Sequence, residues 1–371
     1  MTDERINKLA YGLINYSCKL SKGEKVLIEA KGIDYMLVNA LVKEAFKVGA
    51  YPFVEIFDNR VSRELLLGET KEYAILKAKF DSFRMQEMDA YIGIRGGNNA
   101  FENSDVPEDK LQIESEYYSH PVHHEIRVKK TKWVILRYPN EGMANSASMS
   151  TDAFEEFYFN VCNLDYSKMD RAMDALKARL DKADKVRITG AGTDITFSIK
   201  GIGSKKCSGE HNIPDGEIYT APVKDSVNGV ITYNAPSIQN GTKYENVSLT
   251  FKNGKIISAT GNYPDKINAV FDTDEGARYV GEFAFGVNPF IKNPTGDILF
   301  DEKISGSIHF TPGSCYDDCY NGNVSAVHWD LVLIQTPEYG GGEIYLDGEL
   351  IRKDGRFVTE DLLCLNPENL I

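Results

Sequence analysis

This 371-residue sequence has few cysteines, no long apolar run and no cationic N-terminal segment, and each of these features excludes a class of protein. No apolar run approaches the roughly 18 residues that a membrane-spanning helix needs. The N-terminus lacks the cationic start and apolar stretch of a secretion signal. Six scattered cysteines do not make a disulfide framework. We therefore expect a cytoplasmic protein with no membrane partner.

Positive charge is also in short supply. The chain has 42 Lys and Arg residues against 55 Asp and Glu residues, a formal net charge of -13. Because binding to phosphates requires a basic face, this balance argues against nucleic acid as a partner. The segment Gly190-Ala-Gly192 lacks the third glycine of a dinucleotide-binding loop and precedes a strand pattern, so no nucleotide cofactor is predicted.

The order of hydrophobic patterns predicts two domains, as expected for a chain longer than a single core usually supports. Up to residue 165, short apolar runs typical of strands alternate with stretches of helical spacing. The predicted strands are Lys25–Glu29, Tyr51–Phe57, Ala90–Arg95 and Lys132–Arg137, and the predicted helices are Arg5–Leu20, Asp34–Val48 and Glu69–Met88. This alternation predicts an α/β domain with a mainly parallel sheet over residues 1–165.

Residues 166–371 have a different pattern. Strand-like runs there are joined by tight-turn signals such as Asn253-Gly254, Asp347-Gly348 and Asp354-Gly355. We therefore predict a β-rich α+β domain over this range, and the histidines and acidic residues within it make it the candidate metal-binding and catalytic domain.

Histidine is rare, and two of the six histidines lie in strand-like stretches of the second domain beside acidic residues. The run over residues 325–334 is typical of a strand, so His328 and Asp330 project to one face and Trp329 to the other. An imidazole and a carboxylate so placed can share a divalent cation, and His309 is a further candidate ligand. The alternative is an ordinary hydrogen-bonded His–Asp pair at the end of a strand.

Two glutamates of the same domain occupy apolar surroundings. Glu217 follows a turn and enters an apolar segment, and Glu282 lies among aliphatic and aromatic residues. A carboxylate in such company is costly unless it is paired or bound to a cation. Each glutamate alone is typical of a structural ion pair. Together with His309, His328 and Asp330, however, they supply ligands for two divalent ions, which zinc, cobalt or manganese would suit.

The segments around these residues resemble the aminopeptidase T group of cobalt- or zinc-dependent metallo-aminopeptidases, and the resemblance covers nearly the whole chain. It is carried by Gly216-Glu-Ile-Tyr-Thr-Ala-Pro222, Gly281-Glu282 with Asn288-Pro289, Leu299–His309 and His328-Trp-Asp330. The sequence departs from the family pattern at Thr311-Pro312-Gly313, in a short loop with Cys315 and Cys319, and in a longer spacing from Glu302 to His309.

The resemblance implies roles for particular residues. The implied metal ligands are Glu217, Glu282, Glu302, His309, His328 and Asp330. Glu282 would bridge the two ions, and Glu282 or Glu217 would take a proton in catalysis. Tyr316 would hydrogen-bond the transition-state oxyanion. Members of the family form dimers that enclose the active site, so the resemblance also implies a homodimer that acts on short peptides.

We therefore predict a metal-dependent aminopeptidase that releases N-terminal amino acids from short peptides, using water activated by two divalent ions. Two alternatives stay open. Two histidines and one carboxylate can hold a single iron(II), as in ring-cleaving dioxygenases on a similar scaffold. The other alternative is a metal-free binding protein that retains the scaffold, with which the altered Thr-Pro-Gly segment and the two loop cysteines are compatible.

Overall fold

The computed structural model describes residues 3–33, 35–99, 101–239 and 242–371. Two compact units divide the chain. Unit 1 comprises Met1–Asn163 and Gly209–Pro214, and unit 2 comprises Leu164–Ser208 and Asp215–Ile371. The chain thus leaves unit 2 for one short segment and then returns to it.

Strands and helices fill most of the described ranges. The strands are β1 Lys25–Lys31, β2 Tyr51–Phe57, β3 Ala90–Arg95, β4 Lys132–Arg137, β5 Lys185–Gly190, β6 Thr193–Ser198, β7 Lys205–Cys207, β8 Asn212–Ile213, β9 Glu217–Thr220, β10 Asn228–Thr232, β11 Ser237–Gln239, β12 Thr242–Tyr244, β13 Ser248–Lys252, β14 Lys255–Thr260, β15 Val280–Gly286, β16 Ser307–Pro312, β17 Val332–Ile334, β18 Gly342–Leu346, β19 Glu349–Lys353 and β20 Arg356–Phe357. The α-helices are α1 Glu4–Gly12, α2 Tyr35–Lys47, α3 Asn59–Leu67, α4 Lys71–Gln86, α5 Glu108–Glu114, α6 Glu141–Ser146, α7 Thr151–Cys162, α8 Tyr166–Leu180, α9 Pro264–Phe271, α10 Ile298–Asp301 and α11 Pro367–Leu370. Leu13–Ser17 and Ser115–Val128 are π-helical. No helix in this part of the chain is both long enough and apolar enough to cross a bilayer.

Unit 1 is built on a five-stranded sheet in the order β2-β1-β3-β4-β8, and every neighbouring pair is parallel. β1 and β3 are almost continuous runs of buried residues, the pattern of strands that are covered on both faces. The predicted α/β fold with a parallel sheet is therefore confirmed. The helix expected over Asp34–Val48 is α2, and Asp34 itself lies outside the described residues.

Unit 2 contains two large antiparallel sheets that share an aromatic core. Eight strands form the first in the order β14-β13-β10-β6-β5-β18-β19-β20, and five form the second in the order β17-β16-β15-β9-β7. Phe197 of the larger sheet packs against Phe283 and Phe310 of the smaller, with ring centroids 5.1 and 5.0 Å apart. All three rings are buried, so the core of this unit lies between the sheets. The predicted β-rich second half is confirmed.

One strand is shorter than its sequence pattern indicated. We expected a strand over residues 325–334, but only β17 forms there. The neighbouring strand β16 ends at Pro312, which has no N–H to donate to a continuing ladder, although its carbonyl accepts a hydrogen bond from Trp329 N at 3.0 Å. Antiparallel pairing continues only as an isolated bridge between Gly313 and His328. The predicted alternation of side chains is nevertheless kept, because Trp329 is buried while His328 and Asp330 turn towards each other.

Candidate metal centre

The five-stranded sheet of unit 2 has one face on the aromatic core, and its opposite face carries several of the predicted ligands. On β15, Phe283 faces the core, so Glu282 and Ala284 face the opposite side because side chains alternate along a strand. His309 of β16 pairs with Ala284 and therefore shares that face. The register of β9 with β15 places Glu217 on it as well.

Gly286, at the end of β15, allows the segment that carries Glu302 to approach this face. A Cβ at Gly286 would lie 2.4 Å from the carbonyl oxygen of Ile304 and 2.6 Å from Ser307 Oγ, closer than such contacts allow. Glycine therefore lets the turn after α10 pass directly over the strand. That close passage brings Glu302, which follows α10, to the same place as Glu217.

Six acidic and imidazole side chains converge into two groups. Group A is Glu217, Glu302 and His309, and group B is Glu282, His328 and Asp330. Within each group, one ligand atom per residue lies within 4.8 Å of the others. The two groups adjoin, because His309 Nε2 is 3.5 Å from Glu217 Oε2 and 3.2 Å from Glu282 Oε1. All six residues that the sequence nominated as ligands are thus brought together.

Outer contacts fix the orientation of group B. His328 Nδ1 lies 2.8 Å from the carbonyl oxygen of Ser314, to which it donates, so Nε2 is turned towards the carboxylates. That Nε2 is 3.3 Å from both Glu282 Oε2 and Asp330 Oδ1. Thr311 Oγ1 donates to Asp330 Oδ1 at 2.8 Å. Backbone and hydroxyl partners of this kind are the usual supports of metal-binding imidazoles and carboxylates.

Two polar atoms that face the ligand groups, Glu217 Oε2 and His328 Nε2, are buried and make no well-aligned hydrogen bond within the described residues, although His309 Nε2 lies 3.5 Å from the first and Glu282 Oε2 lies 3.3 Å from the second. Buried polar atoms are nearly always hydrogen-bonded, so unpartnered ones need a physical explanation. Oxygen and nitrogen lone pairs that converge at this spacing are the donors that zinc, cobalt and manganese accept. The residues present therefore fit a pair of divalent cations.

The electrostatics of the centre are dominated by its carboxylates. Burial alone would lower the pKa of both histidines, but the neighbouring carboxylates raise the pKa of His309 to about 10 and that of His328 to about 11. Burial raises the pKa of Glu217 to about 8, against the opposing effect of Lys303. Burial would also raise the pKa of Asp330, but His328 lowers it below its usual range. The field that holds protons on two imidazoles is one that also attracts divalent cations.

Lys303 belongs to the centre and was missed by sequence reasoning. Its side chain is fully buried, its ammonium contacts Glu302 Oε1, and Nζ lies 3.6 Å from Glu217 Oε1. Although burial would lower it, these carboxylates raise the pKa of Lys303 well above its usual value. Nothing in the sequence singles it out, because Lys303 directly follows the acidic residues Asp301 and Glu302, as many surface lysines do.

Tyr316 lies at the more open side of the centre. Its ring centroid is 5.0 Å from that of His328 and 5.4 Å from that of Tyr219, while about half of the residue, 49%, is exposed. Burial of the ring and the charges of Glu282 and Asp330 raise the pKa of Tyr316, so its hydroxyl keeps its proton and is available as a donor. Neither cysteine of the adjacent loop, Cys315 or Cys319, is in a disulfide.

Comparison with known proteins identifies the family. The family model described as thermophilic metalloprotease (M29) matches residues 2–357. The chain belongs to this family. This M29 protein is therefore a metal-dependent peptide hydrolase, and membership favours that activity over the dioxygenase and the metal-free binding protein.

Two aminopeptidases match this M29 protein over nearly its whole length. Aminopeptidase PepS of Streptococcus thermophilus is 24% identical over 408 residues, which cover 95% of each chain. Aminopeptidase T of Thermus thermophilus is 26% identical over 414 residues, covering 95% of this chain and 98% of the relative. The solved structure of wild-type AmpT from Thermus thermophilus has a TM-score of 0.79 and 21% identity, covering 96% of this chain and 99% of that one. This likeness shows that the two share a fold.

Proposed function

We propose that this M29 protein is an aminopeptidase that removes N-terminal amino acids from short peptides and holds two divalent ions in groups A and B. One observation carries the proposal: six buried or half-buried ligands form two adjoining groups linked by the 3.2 Å contact between His309 and Glu282. A single iron site would use only three such ligands, whereas six suit two ions. The names of the relatives, which are aminopeptidases, support removal of terminal residues.

The ligand assignment follows the geometry. Glu217, Glu302 and His309 would hold one ion, and Glu282, His328 and Asp330 the other; Glu282 Oε1 also lies 3.2 Å from His309 Nε2 of group A. Zinc, cobalt and manganese all suit oxygen and imidazole donors, so the residues accept each of them. When bound, such ions supply Lewis acidity, which polarises a carbonyl group and lowers the pKa of water.

Two residues have roles of their own in the reaction. Burial would raise the pKa of Glu282, but its contacts with His309 and His328 lower it, so its carboxylate stays ionised and can receive a proton from the attacking water. Glu217 is the alternative proton acceptor. The protonated hydroxyl of Tyr316, whose ring lies beside that of His328, would donate to the oxyanion that forms at the scissile carbonyl.

The decisive experiment compares Asp330→Ala with a matched acid of the same unit. Asp194 is exposed and forms a surface ion pair with Arg187, so Asp194→Ala is the control. We expect purified wild type and control to carry two divalent ions per chain by elemental analysis and to hydrolyse aminoacyl-anilides. Asp330→Ala should retain its fold by circular dichroism but lose metal and turnover. Full activity of Asp330→Ala, or one iron per chain in the wild type after anaerobic purification, would reject the proposal.

Substrate length and the free amine are tested separately. We expect a series of peptides of increasing length to show falling kcat/KM, and N-acetylated peptides to resist cleavage. Equal rates for long and short peptides would remove the short-peptide part of the proposal. Cleavage of N-acetylated peptides would remove the aminopeptidase part.

We also propose a cytoplasmic homodimer. All six cysteines are free thiols, which suits a reducing compartment. β2 is an edge strand of the parallel sheet, and its residues Tyr51, Phe53, Val54 and Ile56 are all exposed. An apolar edge strand of this kind is normally covered by a partner. A second copy of the chain is the partner that the family resemblance favours.

A further inference from the structure

A third cluster of ligand-type side chains adjoins group A. Cys207 lies on the edge strand β7 and pairs in register with Glu217 on β9. Asp215 comes two residues before Glu217. The Cys207 sulfur, one Asp215 oxygen and one Glu217 oxygen all lie within 4.8 Å of one another. In the sequence Cys207 is only one of six scattered cysteines, because nothing there shows which residue a short edge strand pairs with.

The cluster has the properties of a built site. Asp215 is 2% exposed and Glu217 is 7% exposed, and Glu217 Oε2 is buried and makes no well-aligned hydrogen bond within the described residues. Cys207 is only half-buried, so an ion has access from the edge of the sheet. The strand pairing fixes the thiol and the Glu217 carboxylate opposite each other, so little conformational entropy is lost on binding.

Charge and donor type decide which ion the cluster suits. When bound to a cation, a thiolate and two carboxylates would carry three negative charges, and the Lys303 ammonium, 3.6 Å from Glu217 Oε1, is shared with Glu302. A divalent cation would neutralise two of the three charges. The sulfur donor separates this cluster from groups A and B, which offer only oxygen and nitrogen, and it favours thiophilic ions over manganese or magnesium.

We propose that Cys207, Asp215 and Glu217 form a third cation site, which binds thiophilic divalent ions such as zinc and cadmium. As the bond between Sγ and the cation forms, the thiol proton leaves to solvent. Glu217 is shared with group A, so an ion in the third site withdraws a ligand from the paired centre. This regulatory consequence rests on the proposed function: excess zinc inhibits the peptidase by competing for Glu217.

Cadmium binding to the manganese-loaded full chain tests the site directly. We expect the ultraviolet charge-transfer band of cadmium–thiolate to appear in the wild type and to saturate at one ion per chain. Cys207→Ser should lack the band. Cys364→Ser, which removes an exposed thiol elsewhere, should keep it. A band that persists in Cys207→Ser, or its absence from the wild type, would overturn the assignment.

A second variant guards against misfolding of the first. Asp215→Asn preserves the thiol and the shape of the side chain, and we expect it to weaken cadmium binding at least about tenfold, as loss of a metal-supporting carboxylate typically does. An unchanged cadmium affinity in Asp215→Asn would count against the site even if Cys207→Ser did not fold.

Inhibition of turnover tests the consequence. Zinc added to the manganese-loaded enzyme should inhibit the wild type, and Cys207→Ser should raise the half-inhibiting concentration at least about tenfold. Equal inhibition of the two would overturn the regulatory role. The absorbance band needs no peptide hydrolysis, so the two proposals fail separately. A band without turnover of any peptide rejects the aminopeptidase, and turnover without the band rejects the third site.

Discussion

Acid should lower the unfolding free energy of unit 1 by protonating the buried carboxylate of Glu29. Its Oε1 lies 2.9 Å from Arg95 Nη2 and accepts a hydrogen bond from Tyr91 at 3.0 Å, and its Oε2 accepts one from Arg127 at 2.9 Å. Burial would raise the pKa of Glu29, but Arg127, Arg95 and Lys31 outweigh it and lower the pKa from 4.5 to about 2. The side chain is 4% exposed, so solvent screens these contacts little.

The direction of the effect follows from that lowered pKa. A carboxylate whose pKa is lower in the folded state stabilises the fold above its unfolded pKa and loses that contribution as the pH falls through the folded value. The contribution of Glu29 to stability should therefore be lost as the pH falls from 4.5 to about 2. A pKa difference of this size corresponds to about 3 kcal/mol of unfolding free energy. At neutral pH, Glu29→Gln should cost about 3–5 kcal/mol, because it leaves Arg127 buried without its anion.

Denaturant-dependent hydrogen exchange of the β1 segment measures this in unit 1 alone. We expect the stability difference between wild type and Glu29→Gln to shrink by about 3 kcal/mol as the pH falls from 4.5 to about 2. Glu87→Gln is the matched control, because Glu87 is a largely exposed partner of Lys25 and should contribute under about 1 kcal/mol. A difference that does not change with pH, or a cost as small as that of Glu87→Gln, would refute the reasoning.

Three further perturbations address the centre and the assembly. Tyr316→Phe should lower kcat by about 100- to 1000-fold with metal content unchanged, as loss of an oxyanion donor does, and an unaltered kcat would remove Tyr316 from the mechanism. Lys303→Met should destabilise the metal-free protein, prepared with a chelator, by about 3–5 kcal/mol, because Glu217 and Glu302 lose their buried counter-charge. Added zinc should restore part of the lost Tm, and equal Tm losses with and without zinc would contradict this role. Phe53→Lys on β2 should convert the homodimer to a monomer in light scattering, whereas Tyr11→Lys, at an exposed position outside β2, should not; a dimer that persists in Phe53→Lys excludes this edge as the interface.

The strands and helices that could be predicted in both units are those with a clear hydrophobic periodicity in the local sequence. The four long strands of the parallel sheet were found because each is a short run of apolar or β-favouring residues between helical stretches. β8 could not be found, since two residues carry no periodicity and only their pairing with β4 makes them a strand. The same holds for the π-helical segment Ser115–Val128, in which Pro121 interrupts the usual helical signal.

The ligands of the centre divide in the same way. His328 and Asp330 were found from alternation, and Glu217 and Glu282 from the cost of a carboxylate in an apolar strand. Glu302 came only from the family resemblance. Its place in group A depends on Gly286, which admits the passing turn, and no local pattern describes that approach.

Burial cost explains why the ligands could be recognised while their supports could not. A carboxylate inside an apolar strand is unfavourable in its local setting, so the sequence itself shows that something must compensate it. Lys303, by contrast, follows two acidic residues, as many surface lysines do, and Thr311 and Ser314 are common loop and strand residues. These residues become informative only once the fold buries the ammonium against Glu302 and aims a hydroxyl and a carbonyl at Asp330 and His328. Sequence reasoning therefore finds groups whose local environment is unfavourable, and it misses the neighbours that make that environment tolerable.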